Sequence, residues 1–90
     1  MDAEMLREAI DLAGGPEFVV AFYYDNSGRT LFNKTPFDMS MIQGNFVVIE
    51  DEDLTGIPLK TYKPIETIQS ILTVENVEDR AKVDMHYIRN

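Results

Sequence analysis

The chain has 90 residues, no cysteine, and a formal net charge of −8 from 16 acidic against 8 basic side chains. That length holds one domain with a modest core, and an apolar share of 44% excludes wholesale disorder. Without cysteine there is no disulfide, thiolate metal site or cysteine nucleophile, which suits a reducing cytoplasm. The opening "MDAEMLREAI" carries acids where a signal peptide carries basic residues, and no run approaches the ~18 apolar residues of a membrane span. The expectation is one soluble, cytoplasmic domain over residues 1–90.

The first element is a helix over 3–13. Asp2 is an N-cap, Glu4 sits in the first turn, and "GGP" at 14–16 ends the helix with a C′ glycine and a trailing proline. Leu6, Ala9, Ile10 and Ala13 share one face, while Glu4, Glu8 and Asp11 form an acidic stripe opposite. About three turns are marginal alone, so the apolar face must dock.

From residue 18 the period changes to that of strands. "FVVAFYY" (18–24) predicts a central, mostly buried strand, "DNSG" (25–28) a turn, and "RTLFNK" a second strand. After Pro36, "FDMSMI" alternates Phe37, Met39 and Met41 against Asp38 and Ser40 and predicts a third. "GN" (44–45) is a two-residue hairpin turn with glycine first, leading into "FVVIEDE". "DLTG" (53–56) turns again, and Pro58 marks "IPLKTY" as an edge strand. In "KPIETIQSILTV", Ile65, Ile68 and Leu72 fit a helical face, whereas Ile68, Ser70, Leu72 and Val74 fit a strand; the favoured reading is a single turn after Pro64 and then a strand. Ala81, Val83, Met85 and Tyr87 alternate with polar residues and predict a last strand. The class is α+β, an N-terminal helix packed on five or six antiparallel strands meandering over 18–88.

No catalytic or cofactor signature emerges. His86 is the sole histidine, and Asp84 beside it leaves a zinc site short of ligands. Ser27, Ser40 and Ser70 lack any nucleophile-elbow or S-x-x-K context. Asp51, Asp53, Thr55 and Gly56 fall on calcium-loop positions, but Tyr62 stands where the bidentate glutamate is required. "GG" (14–15) lacks the lysine of a phosphate loop. The chain therefore reads as a non-enzyme without cofactor or metal.

The pattern of helix, "FVVAFYYDNSGRTLFN", "FDMSMIQGNFVVIEDED" and "IPLKTYKPIETI" resembles the Sm-like small barrel, in particular the bacterial host-factor RNA chaperone. Tyr62, Lys63, Ile65 and Ile68 match that family's second motif, and the likeness covers about residues 3–74. It implies a curved, closing sheet and RNA association. Two departures stand against it: the glycine expected in the bent second strand is replaced around Asn33, and the surface is acidic where an RNA-binding ring is basic.

The acid is concentrated. Residues 1–28 hold six acids against Arg7, Glu50–Asp53 add four, and 29–49 and 54–74 each sum to +1. Lys60, Lys63 and Arg29 are too few for phosphate affinity, so direct nucleic-acid binding is not expected. Like charges at i, i+4 in the helix and two apart in the strand repel, a cost that interspersed lysines would avoid. In character the chain resembles small, acidic, phage-encoded inhibitors that imitate DNA and occupy histone-like or other DNA-binding proteins. The resemblance implies a basic DNA-binding protein as partner, met by Glu4, Glu8, Asp11, Glu50, Asp51, Glu52 and Asp53. The alternatives are acids that serve only as solubilising charge, an Sm-like RNA-associated module, and a structural subunit of a larger assembly. Apolar segments beside a small core, with an edge strand at "IPLKTY", predict a homodimer.

Overall fold

The computed structural model describes residues 1–32 and 35–83. Helix α1 spans Ala3–Ala13. The strands are β1 (Val19–Tyr24), β2 (Arg29–Leu31), β3 (Ile42–Gln43), β4 (Phe46–Glu52), β5 (Pro58–Pro64) and β6 (Ile68–Thr73). They form two antiparallel three-stranded sheets, ordered β2-β1-β6 and β3-β4-β5. The class is α+β, as expected from the sequence.

The ends of α1 follow from side-chain chemistry. The Asp2 carboxylate accepts the Met5 amide at 2.8 Å. At the other end Gly14 takes φ 112°, where a Cβ would lie 2.8 Å from the Phe18 ring, so only glycine fits this stop. Leu6 and Ile10 are buried by the face the periodicity identified.

β1 is central to its sheet, and its consecutive apolar residues are used on both faces. A register shift between Val19 and Ala21 places Val19 and Phe22 on the same side. Val19, Phe22 and Tyr24 enter the main core with Leu6, Ile10, Phe32, Phe37, Val47, Ile65 and Ile68. Val20 and Ala21 face the other way, against Tyr23, Leu31, Leu72, Val74 and Val83. Phe22, Phe32 and Phe37 pack edge to face with centroids 5.0–5.2 Å apart.

The Gly44–Asn45 hairpin forms as expected, with Ile42 opposite Val47 and Gln43 opposite Phe46, and Gly44 at φ 58°. A one-turn 3-10 segment at Ile65–Thr67 follows Pro64 and leads into β6.

Three expectations are corrected. The alternation over "FDMSMI" does not build a strand, because the Asp38 carboxylate accepts the Ser40 amide at 2.8 Å and coils Met39–Met41 into a 3-10 turn; only Ile42 and Gln43 pair. The strands are not a simple meander, since β6 returns to pair with β1 rather than β5. Nor does the sheet close into a barrel: β2 has three residues and β3 two, and no pairing joins the two sheets among the described residues. At the predicted last strand, Val77–Lys82 is 3-10 helix, and Asp84, Met85, His86 and Tyr87 lie outside the described residues.

Candidate interaction surface

β4 and β5 pair in continuous register from Phe46 opposite Pro64 to Glu52 opposite Pro58. Their inner half is core: Val47 and Val48 are buried. Their outer half leaves the body, and every residue from Glu50 to Tyr62 is exposed. The radius of gyration, 12.9 Å, exceeds the ~12 Å of a compact chain of this length, in keeping with a projecting two-stranded arm.

The four carboxylates at 50–53 sit on this arm but are not equivalent. Glu50 faces Lys60 across the ladder, Oε1 to Nζ 3.7 Å, with both side chains more than half exposed. Asp51 points to the opposite face, and its Oδ1 accepts the Glu52 amide at 2.8 Å. Asp53 lies beyond β4 and organises the turn. Its Oδ1 accepts the Thr55 hydroxyl at 2.6 Å, the Thr55 amide at 2.8 Å and the Ile57 amide at 2.9 Å. The Thr55 hydroxyl, followed by the Ile57 amide, holds the Asp53 carboxyl below the usual carboxylate range. This carboxylate is committed to N–H and O–H donors of its own turn, between strands rather than helices, so the calcium-loop spacing has a structural use instead.

The sequence did not single out the apolar residues of the arm. Leu54 is fully exposed, and Ile57 and Leu59 are at least half exposed. Pro58 marks the edge strand but says nothing of how far Leu59 stands from the core. Tyr62 stacks edge to face on Phe46 at 6.2 Å along the outer face of the arm.

The helix stripe is a separate feature. Glu4, Glu8 and Asp11 are all exposed on α1. The helix N-terminus lies at the Phe46 end of β4, where Met1, Asp2 and Ala3 line one cleft with Phe46, Pro64 and Ile65. Glu52 is six residues further along the strand, ~20 Å away. The structure groups Glu50–Asp53 on one arm and gives Glu4, Glu8 and Asp11 a surface of their own.

A cleft of about 380 Å³ opens at the base of the arm, lined by Thr30, Phe32, Met41, Val48, Glu50 and Asp51 among others. Its described lining holds two carboxylates and no basic group. Among the described residues no three His, Asp or Glu side chains are placed to hold a metal, and no helix is long and apolar enough to cross a membrane. Lys60 and Lys63 do not make one basic patch: Lys60 faces Glu50, while Lys63 projects from the other face to lie 5.1 Å from the Tyr24 ring centroid. Compared with protein families, curated proteins and solved structures, the chain matches none.

Proposed function

We propose that this chain is a non-catalytic binding module whose β4–β5 arm occupies the basic surface of a DNA-binding protein and displaces its DNA. The observation that carries this reading is the arm itself. It projects Glu50, Asp51 and Glu52 on an exposed ladder with Asp53 in the turn just beyond, four carboxylates beside which Lys60 stands 3.7 Å from Glu50. Glu50 and Glu52 share a face at a spacing of ~6.7 Å, so the arm presents regularly repeated negative charge, as a nucleic-acid backbone does. The attraction is Coulombic: it speeds encounter and fades as salt shortens the Debye length to ~8 Å at physiological strength. Leu54, Ile57 and Leu59 supply apolar area that a purely ionic contact lacks. Glu4, Glu8 and Asp11 extend the negative field from α1 as a second surface.

The test is displacement of a purified bacterial histone-like protein from labelled duplex DNA, at about 50 and 200 mM salt, where ionic contacts differ most. Wild type should displace the DNA, less well at the higher salt. The variant Glu50→Gln, Asp51→Asn, Glu52→Gln should fail, with Asp53 retained because it holds the turn. Equal displacement by both proteins would make the acids solubilising charge only. Tight binding of the chain itself to single-stranded RNA would instead favour the RNA-associated reading.

A further inference from the structure

The hydrogen-bond phase of the β4–β5 ladder can be read at its two ends. Ile65 donates its amide to the Asn45 carbonyl, and Asp53 donates to the Ile57 carbonyl. Both contacts obey the register that joins Phe46 with Pro64 and Glu52 with Pro58. In an antiparallel ladder, inward and outward backbone groups alternate. Leu59, Thr61 and Lys63 therefore turn their N–H and C=O groups toward β4, while residues 58, 60, 62 and 64 turn theirs outward. Two of those outward positions are Pro58 and Pro64, which have no N–H. The free edge of β5 thus offers two N–H donors, Lys60 and Tyr62, bounded by a proline on each side.

We propose that this edge pairs with β5 of a second copy, antiparallel about a two-fold axis at Thr61, joining the β3-β4-β5 sheet of each copy into one continuous six-stranded sheet. In this register Lys60 meets Tyr62 of the partner subunit and Tyr62 meets Lys60 of the partner subunit. Each pair exchanges both N–H···O=C bonds, so all four outward donors are used and the prolines face one another where no donor is needed. Each Lys60 ammonium lies across from a tyrosine ring. The register one step shorter would set Lys60 against Lys60, a like-charge pair. β5 carries two lysines and no acid, so two chains of charge −8 meet where their repulsion is weakest. The prolines limit the pairing to one short segment, and the two-fold axis closes it, so the edge makes a dimer and not a fibre. None of this rests on the reading of the acids.

Sedimentation equilibrium of the full chain tests it. The expected result is a dimer of the 10.3 kDa chain that tightens as salt rises, because screening relieves repulsion between like-charged copies. Tyr62→Pro removes the outward donor, while Tyr62→Ala removes the same ring and keeps it. The proline variant should dissociate roughly tenfold or more readily than the alanine variant, having lost two of four inter-chain hydrogen bonds. Amide exchange on wild type provides a second readout independent of the variants' folding: Lys60 and Tyr62 should gain protection with protein concentration. A monomer at every concentration, equal dimerisation of the two variants, or freely exchanging Lys60 and Tyr62 amides within a dimer would overturn the proposal.

Discussion

Replacing Phe37 tests whether the segment between the two sheets is a wall of the core or a loop lying on it. Phe37 belongs to no strand, yet it is only 3% exposed, and its ring packs edge to face on both Phe22 and Phe32. A buried Phe→Ala change typically costs ~3–5 kcal/mol. A domain of this size has ~5–13 kcal/mol in all, at ~0.05–0.15 per residue. Phe37→Ala should therefore remove about a fifth or more of the stability and lower Tm by ~12 °C or more, at ~4 °C per kcal/mol. Phe37→Leu keeps most of the volume and loses two edge-to-face pairs, each ~0.5–1.5 kcal/mol, so its cost should be ~1–3 kcal/mol. With no tryptophan in the chain, urea unfolding followed by far-ultraviolet circular dichroism is the assay. A loss below ~1 kcal/mol for Phe37→Ala would place it among ordinary surface changes and refute the three-ring core.

Tyr24 donates to or accepts from the Thr30 hydroxyl at 2.6 Å, and burial, opposed by that hydrogen bond, raises its pKa above 10.0. Stability from its neutral form is complete below the unfolded pKa and is lost as pH climbs through the folded value; Tyr24→Phe should lack this alkaline loss in melts from pH 9 upward. Asp38 and Asp53 have lowered pKa values, caused chiefly by hydrogen bonds from Ser40 and Thr55, so their contribution is present above the unfolded carboxylate pKa and lost as pH falls through the folded values. Acid melts of Asp38→Asn should show a shallower loss than wild type. A double-mutant cycle on Glu50 and Lys60 should give ~0.2–1 kcal/mol, shrinking with added salt, since both side chains are exposed.

Much of the fold was legible because local chemistry and global packing agree there. Asp2 and the "GGP" stop bound α1, and Gly44 sets a hairpin that only a positive-φ residue makes readily. At 64–74 the apolar spacing fits helix and strand alike, and the structure resolves it as one 3-10 turn followed by β6. The misreading at 37–42 has a specific cause. Alternating apolar and polar residues fit a strand, but Asp38 hydrogen-bonds to the backbone two residues on, and that local bond favours a turn. The non-sequential pairing of β6 with β1 is a long-range outcome, with no signature in either segment alone. The acids at 50–53 were visible, but their division was not: nothing in "EDED" tells that the first meets a lysine and the last caps a turn.

That division bears on the repulsion within the cluster. Four adjacent carboxylates would oppose the arm if all were equivalent, yet two have local compensation. Lys60 stands opposite Glu50, and Asp53 is surrounded by donors from Thr55 and Ile57. Asp51 accepts an amide but meets no cation among the described residues, and Glu52 meets none either. The uncompensated charge is therefore concentrated at the end of β4, with Asp51 on one face and Glu52 on the other. The proposed basic partner would relieve most repulsion there, whereas Asp53, although equally acidic in sequence, is committed to the Thr55 and Ile57 donors of its own turn.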